Sequence, residues 1–373
     1  MARILVNAVA AKMGGATTYL QNFRHVAAAQ REHTFEIHVA PGEPEFHEPH
    51  VRQVAAPPRA RGGLGRLWYD QWVLQDRARA FSGLISTSNF GTLAVGCPQI
   101  LLVRNALYFS TLYLDRVRRE RPDLLPALLA RRAMVAASAA AADWVVFPTT
   151  AMLEEAQGCL KLPGGRCRVV PHGFDPHRFL KTDDRATPIE LPPSKGPRIL
   201  MVSHYALHKD FGTLLEGFRL FLKKEPAATL LLTAELEARS AELTSAERRL
   251  WRELGEAGRV VDLGTVSYDR IAAPYRWAEV FAFTSLAESF AHPLAEAQAA
   301  NLPIVASDIP VHREVCGAAG LFFPPGDAPA FASALGRALA KRGSRPRSAG
   351  PGTISWSQHL AALCDLFSAS RSS

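Results

Sequence analysis

The sequence predicts an α/β protein built from two doubly wound parallel sheets. Its 373 residues exceed the usual length of one compact core, because domains commonly contain about 100–200 residues. Short runs rich in Ile, Leu and Val alternate with longer helical segments, and such runs are typical of strands buried on both faces. The alternation stops at a Pro-rich polar stretch, 183–197, and then starts again, which predicts two domains joined by a linker.

The strand-like runs of the first half are separated by helical segments at 16–30 and 64–81. The second half repeats the pattern, and its helices are predicted to begin near Asp210, Arg239, Tyr268 and Pro293. A polar stretch, 341–352, precedes a last helix, 355–367. The predicted strands are 2–8, 34–40, 83–88, 99–105, 143–149, 198–203, 229–234, 259–266, 280–285 and 303–308.

These elements predict a first domain over 1–180, a second over 181–352, and a closing helical segment over 353–373. In doubly wound sheets ligands bind beyond the carboxyl ends of the strands. With two facing domains, we expect the functional site in the cleft between them.

Composition narrows the classes of function. Hydrophobic residues make up 48% of the chain and charged residues 21%, which is typical of a globular protein. The net charge of +8 would suit nucleic acid, anionic lipid or a phosphorylated substrate. Because the sequence contains no Gly/aromatic RNA-binding motif and no zinc-finger pattern, we do not expect nucleic acid as a partner.

Cysteine usage and the N-terminus indicate a cytoplasmic protein. The five cysteines are scattered and form no CxxC pair, so neither a disulfide framework nor a zinc site is expected. The N-terminal stretch 1–15 reads as a strand and a glycine turn rather than as a signal peptide. No run of about 18 consecutive apolar residues occurs, so no transmembrane helix is expected.

An arginine-rich segment with interspersed leucines, 116–134, has two interpretations. The ordinary one, which we favour, is the solvated face of a helix. The alternative is a surface that rests on anionic lipid headgroups, which would place the protein at the inner face of the membrane.

Two glutamates flank a predicted helix start in the stretch 285–299. Glu288 lies in the loop after a strand, and Glu296 is predicted to lie in the first turn of the helix that follows, where Pro293 suits the first helical position. Unpaired backbone N–H groups at this helix start would bind phosphate, and each carboxylate could accept hydroxyls of a sugar on either side. The alternative is that both glutamates only favour the positive end of the helix, worth about 0.3–1 kcal/mol each.

Further candidates follow two other strands. Lys209 precedes a helix, where it could neutralise a diphosphate, or it could be a plain surface lysine. His204 and His208 flank the same loop, and a histidine there could be structural or functional. Gly14 and Gly15 would let the backbone approach a ligand at a helix start, although many strand-to-helix turns also use glycine.

The second half resembles the donor-site signature of the glycosyl transferase group 1 family, whose retaining members have the GT-B fold. The stretch 285–327 is similar to the family's pair of glutamates separated by seven residues, with the strand and the Glu-Val that follow. The stretch 169–179 resembles the family's turn into the second domain, and 262–285 resembles its Tyr-containing segment. The stretch 355–367 resembles the closing helix, which in the family crosses back onto the first domain.

The resemblance implies a role for each matching residue. Glu296 would bind the ribose of the donor, Lys209 its phosphates, and Gly14 and Gly15 would form the glycine loop near donor phosphates and acceptor. Glu288 and the loop after it would bind the transferred sugar and the diphosphate. This loop consists of Ser289, Phe290, Ala291, His292, Pro293 and Leu294.

Three departures from the family pattern point to an altered donor or acceptor, or to lost activity. Ser203 and His204 stand where the family often has Gly-Arg, and Ala291 replaces a glycine. Arg104 and Asn105 stand where many members place a histidine near the reacting sugar. Asn105 is therefore expected, with Gly14 and Gly15, at the acceptor and phosphate loop.

The resemblance thus implies a retaining hexosyltransferase that moves a hexose or deoxyhexose from a nucleoside diphosphate sugar to a glycan or lipid-linked acceptor. Lys209, Glu288 and His204 are its expected catalytic residues, with no cofactor and no metal, since no Asp-x-Asp motif occurs. The alternatives are a sugar-nucleotide epimerase or hydrolase, a non-catalytic sugar-nucleotide-binding subunit, and a lipid- or nucleic-acid-binding module.

Overall fold

The computed structural model describes residues 2–11, 15–180, 189–341 and 353–369, so part of the predicted linker lies outside the described residues. The chain forms two compact units. The first comprises Met1–Phe109, Val117–Gly173 and Ile354–Ser373, and the second comprises Ser110–Arg116 and Phe174–Thr353.

The first unit contains an eight-stranded sheet. Its strands are β1 (Ala2–Ala8), β2 (His33–Val39), β3 (His47–Glu48), β4 (Val51–Ala55), β5 (Gly83–Ser86), β6 (Gln99–Leu102), β7 (Trp144–Phe147) and β8 (Cys167–Val169). They lie in the order β3-β4-β2-β1-β5-β6-β7-β8, all parallel except the β3–β4 pair. Strands β2 to β4 lie on one side of β1, and strands β5 to β8 lie on the other side, so the strand order reverses between β1 and β5.

Helices cover the faces of this sheet. They are α1 (Gly15–Ala29), α2 (Gly63–Trp68), α3 (Leu74–Ala78), α4 (Thr111–Glu120), whose first part belongs to the second unit, α5 (Leu125–Ala141), α6 (Thr150–Cys159) and α14 (Trp356–Ala369). The predicted helix 64–81 is interrupted by a π-helical turn, Tyr69–Val73, between α2 and α3. The last helix, α14, packs against α1, and its Leu360, Leu363 and Phe367 are buried in the same core cluster as Ile4.

The second unit contains a six-stranded, wholly parallel sheet. Its strands are β9 (Arg198–Met201), β10 (Thr229–Leu232), β11 (Val260–Asp262), β12 (Val280–Phe283), β13 (Ile304–Ser307) and β14 (Gly320–Phe323). Its helices are α7 (His177–Leu180), α8 (Phe211–Phe221), α9 (Ser245–Glu256), α10 (Ala272–Trp277), α11 (His292–Ala299), α12 (Pro310–Cys316) and α13 (Ala328–Ala340). The strand order β11-β10-β9-β12-β13-β14 reverses between β9 and β12. The prediction of two parallel-sheet α/β domains is therefore confirmed.

Two predicted helix starts are wrong. The helix expected near Arg239 begins at Ser245, because Thr244 and Glu247 form a capping box there. The helix expected near Tyr268 begins at Ala272. Strands β3, β4, β8 and β14 were not predicted, since they are short or carry few consecutive apolar residues.

All five cysteines lie among the described residues and are free thiols. In the described part of the chain one helical stretch, Pro122–Ala141, is long and apolar enough to cross a membrane. Of its most apolar 18-residue window, 22% is buried inside the protein. Length and composition alone do not distinguish a membrane span from other helices.

Replacing Leu363 by Ala should destabilise the protein by about 2–5 kcal/mol, because Leu363 is fully buried between α14 and the first sheet. Urea denaturation would measure this loss. Ser368→Ala, at an exposed position of the same helix, is the matched control and should change stability by less than about 0.5 kcal/mol. Equal effects of the two substitutions would contradict the packing of α14 on this core.

Candidate functional site

The candidate site lies beyond the carboxyl ends of β9 and β12, the two strands between which the second sheet reverses its order. Such a reversal leaves a crevice at the carboxyl edge of a parallel sheet, since the helices that follow the two strands lie on opposite faces. The loop 202–210 follows β9, and the loop 284–291 follows β12. Most of the residues predicted for the donor site belong to these two loops.

Hydrogen bonds join the two loops directly. The backbone N–H of Leu286 donates to the carbonyl of His208 over 2.7 Å, and the Ser285 hydroxyl donates to the same carbonyl over 3.2 Å. The Thr284 hydroxyl donates to the carbonyl of Lys209 over 2.7 Å. These hydrogen bonds fix the two loops relative to each other, so the positions of their side chains do not depend on a ligand.

Lys209 and Glu288 form a buried ion pair. The Lys209 Nζ donates to Glu288 Oε1 over 2.5 Å, and it also lies 5.1 Å from the centre of the Phe283 ring. Burial on its own would raise the pKa of Glu288, but the Lys209 ammonium and the nearby His208 lower it to about 2. The site therefore contains a fixed cation and a fixed anion at neutral pH.

The two predicted histidines are neutral at pH 7. His204 is exposed as a residue, but its ring is partly buried. This burial, followed by the charges of Lys209 and Arg239, lowers the pKa of His204. Burial, followed by the charge of Lys209, lowers the pKa of His208 to about 3. Either imidazole can therefore donate a hydrogen bond but supplies no positive charge.

The helix α11 begins at His292, with Pro293 in its first turn, as expected. Its N-cap, Ala291, has φ 59° and ψ 58°, a left-handed conformation that costs a residue other than glycine about 1–2 kcal/mol. Alanine has no polar side chain with which to cap the helix. Glu296 lies beyond the first turn, so its predicted place there is wrong.

Glu296 is nevertheless buried, at 6% exposure, and the Tyr275 hydroxyl donates to its Oε2 over 2.7 Å. Burial raises the pKa of Glu296 to about 7, and this effect outweighs the Tyr275 hydrogen bond and the charge of Arg178. Arg178 itself lies over the ring of Tyr268, 4.3 Å from its centre. The interpretation that both glutamates merely favour the positive end of a helix fits neither of these environments.

The other predicted donor residues occupy the loop and the start of α11. The rings of Phe290 and His292 lie 4.8 Å apart, and the carbonyl of Pro293 accepts a hydrogen bond from Tyr275 over 3.3 Å. Ser289 precedes them in the loop, and Leu294 is fully buried.

Three predicted site residues, Gly14, Gly15 and Asn105, belong to the first unit. Gly14 lies outside the described residues. Gly15 begins α1, and a Cβ there would meet open space. Asn105 accepts a hydrogen bond from the backbone N–H of Leu107, so its side-chain oxygen caps a short 3₁₀ helix.

The sequence reasoning missed three residues that support the site. Tyr275 lies in a segment that was recognised, but only the fold brings its hydroxyl to Glu296. His312 is fully buried, and its Nδ1 is bonded to Ser307; burial lowers its pKa to about 4, in spite of the opposing charge of Glu288. Asp210, with φ 51°, caps α8 through Thr213 and pairs with Arg116. The Asp210 cap has a local spacing that the sequence could have revealed, whereas the contacts of Tyr275 with Glu296 and of Arg116 with Asp210 join distant positions that no local pattern signals.

Comparison with known proteins identifies the family. The model described as "Glycosyl transferases group 1" matches residues 196–341, and the model described as "Glycosyltransferase Family 4" matches residues 13–178. The chain belongs to the group 1 glycosyltransferase family. Membership in this family agrees with the resemblance seen in the sequence.

The chain is similar to two D-inositol 3-phosphate glycosyltransferases. The protein of Nocardia farcinica is 29% identical over 58% of this chain and 51% of its own length, and that of Xylanimonas cellulosilytica is 31% identical over 61% and 57%. The chain thus spans little more than half the length of these relatives.

Solved structures show the same fold. Sucrose-phosphate synthase from Thermosynechococcus elongatus has a TM-score of 0.74 at 18% identity, with all of both chains covered. Anabaena HepE in complex with UDP has a TM-score of 0.63 at 16% identity, over 98% of this chain and 95% of that one. The fold is that of the GT-B glycosyltransferases.

The protonation of Glu296 should make stability depend on pH. The folded protein holds the Glu296 proton up to about pH 7, whereas the usual value in an unfolded chain is 4.5. Stability from this group is therefore full below pH 4.5 and is lost as the pH rises through 7. Glu296→Gln should remove this loss, so the variant should exceed the wild type by about 3 kcal/mol at pH 8 but not at pH 4.

Urea denaturation at both pH values would measure the difference. Glu256→Gln, at an exposed position, is the control and should follow the wild type at each pH. A constant offset between Glu296→Gln and the wild type at both pH values would show that Glu296 does not titrate in this range.

Proposed function

We propose that the protein is a retaining glycosyltransferase that moves a hexose or deoxyhexose from a nucleoside diphosphate sugar to an acceptor hydroxyl without a metal ion. The observation that carries the proposal is the buried Lys209–Glu288 pair at the reversal point of the second sheet. Family membership supports the reaction class.

The difficult step is the departure of the diphosphate, which gains negative charge as the glycosidic bond breaks. The Lys209 ammonium has three N–H donors, and Glu288 accepts one of them. The other two can bind phosphate oxygens, and at about 4 Å with an effective dielectric of about 20 the attraction is about 4 kcal/mol before desolvation. The start of α11 adds backbone donors for the same charge.

The two carboxylates suit the sugars at the two ends of such a donor. Glu288 keeps its second oxygen for hydroxyls of the transferred sugar, because Lys209 occupies Oε1. Glu296 would accept the ribose hydroxyls, and the Tyr275 hydroxyl fixes its orientation. His204, as a neutral imidazole, would donate a hydrogen bond to the leaving phosphate.

Retention follows from transfer on one face of the sugar. The bond between the anomeric carbon and the phosphate oxygen breaks, and the bond to the acceptor oxygen forms on the same side. The leaving phosphate oxygen takes the acceptor's proton, so no strong protein base is required. A glycan or lipid-linked acceptor and a cytoplasmic location complete the proposal, with the inner face of the membrane as the alternative location.

Lys209→Ala should lower kcat by at least about 100-fold, because it removes the charge that stabilises the leaving diphosphate. Turnover with the donor found by a thermal-shift panel of UDP-, GDP- and dTDP-sugars would measure it. Lys224→Ala, an exposed lysine after α8, is the control and should retain full activity. Near-normal turnover by Lys209→Ala would count against the assignment.

Transfer should proceed at an unchanged rate in EDTA, because the side-chain cation takes the place of a metal ion at the diphosphate. The assay compares initial rates with EDTA, with added magnesium and with added manganese. A strict requirement for either ion would contradict the metal-independent mechanism.

A further inference from the structure

The first sheet has its own reversal point, between β1 and β5, and Arg104 lies across it. Arg104 follows β6, and its backbone N–H donates to Asn89 Oδ1 over 2.6 Å. Its guanidinium donates to the carbonyl of Thr87, which follows β5, over 3.4 Å and to the carbonyl of Gly15, at the start of α1, over 3.2 Å. The side chain therefore occupies the carboxyl edge where doubly wound sheets bind ligands.

The described side chains that contact Arg104 are uncharged. Its guanidinium lies 3.9 Å from the centre of the Tyr19 ring. The Tyr19 hydroxyl is 2.8 Å from His359 Nε2, and His359 Nδ1 lies 2.7 Å from the carbonyl of Pro171, so Nδ1 donates and Nε2 accepts. Burial raises the pKa of Tyr19 and lowers that of His359 to about 4, so both side chains are neutral at pH 7.

The charge of Arg104 is not compensated by a carboxylate in the described part of the chain. Within residues 2–11, 15–180, 189–341 and 353–369, no carboxylate lies within ion-pair distance of Arg104, and its buried Nε–H has no acceptor. Burial lowers the pKa of Arg104 to about 10, so the side chain still carries its charge at neutral pH. A half-buried cation held by two carbonyls and a ring, with no carboxylate to compensate it among the described residues, is costly, and such groups cluster at ligand sites.

We propose that Arg104 is a substrate-binding residue that recognises an anionic group on the acceptor, a phosphate or a carboxylate. The proposal rests on the proposed function and specifies the acceptor class, because the donor is assigned to the second unit. The planar guanidinium has free N–H donors and can bind two oxygens of such a group at once. A neutral acceptor would leave the cation without a partner.

A structural role for Arg104 makes the opposite prediction about stability. If the hydrogen bonds to Thr87 and Gly15 mainly tie α1 to the sheet, then Arg104→Gln should lower Tm. If the charge of Arg104 is compensated only by a bound anion, Arg104→Gln should raise the Tm of the free protein by about 1–4 °C. Arg104→Lys keeps the charge but not the planar fork, so its Tm should stay near that of the wild type.

Binding of inorganic phosphate tests the site without any transfer assay. Phosphate should raise the Tm of the wild type above that in chloride at equal ionic strength. The rise should be largely lost in Arg104→Gln, smaller in Arg104→Lys, and retained in Lys209→Gln, which controls for phosphate bound at the donor site. An equal phosphate response in Arg104→Gln and the wild type, or a lowered Tm of the free variant, would overturn the proposal.

Acceptor selectivity is the second readout. With an active donor, the wild type should prefer monophosphate or carboxylate forms of sugars and polyols to their neutral parents. In Arg104→Gln the ratio of kcat/KM for anionic over neutral acceptors should fall at least about 30-fold. An equal preference for anionic over neutral acceptors in Arg104→Gln and the wild type would refute an anionic acceptor at Arg104. Comparison of the phosphate acceptors with the carboxylate acceptors identifies which anion is bound.

The nucleotide response separates this proposal from the function on which it rests. Nucleoside diphosphates should shift the Tm of Arg104→Gln as much as that of the wild type. If no nucleotide shifts the wild type and no sugar is transferred, the proposed function fails, while the phosphate titration still decides whether Arg104 binds an anion.

Discussion

The ion pair between Lys209 and Glu288 is the constraint on which the second unit's site depends. The two residues are 79 positions apart in the sequence, and their ion pair joins the loops after β9 and β12. These are the two strands between which the order of this sheet reverses. Removing one member of a buried pair leaves the other charge without compensation, at a cost of about 3–5 kcal/mol. Lys209 therefore holds Glu288 in its charged form, and a diphosphate that approaches Lys209 meets an ammonium group whose position is already determined.

The groups around this pair are kept neutral by burial. His208 and His312 lose their protons because their rings are withdrawn from water, and Glu296 holds its proton up to about pH 7 for the same reason. A histidine in place of the family's arginine thus changes the chemistry at position 204 from a charge to a hydrogen-bond donor. Lys209 is consequently the dominant positive charge that the loops 202–210 and 284–291 present to a ligand.

The two sheets reverse their order in the same way, but their cations differ. Lys209 has a carboxylate partner, whereas Arg104 faces carbonyl groups and the Tyr19 ring, with no carboxylate near it among the described residues. The charge of Lys209 is already compensated by a carboxylate in the free protein, whereas the charge of Arg104 is compensated when an anion is bound. This difference is why Lys209 suits a leaving group whose charge develops during the reaction, while Arg104 suits a group that is anionic throughout.

The sequence by itself determined the fold class and most of the strands, because runs of Ile, Leu and Val indicate strands buried on both faces wherever they occur. It also indicated Lys209, Glu288 and Glu296 as candidate site residues, since each follows a predicted strand and matches a family motif. Elements with weak local patterns escaped it, such as strand β4, which has no continuous apolar run, and the helix that begins at Ser245 rather than near Arg239.

Only the tertiary structure decided what these residues touch. The bond of Tyr275 to Glu296 and the pairing of Lys209 with Glu288 join positions far apart in the chain, and no local spacing encodes such contacts. The left-handed conformation of Ala291 is also imposed by its surroundings, because alanine by itself disfavours it. Local patterns determine which element a segment forms, whereas packing determines which charges are buried together and hence which of them can act on a ligand.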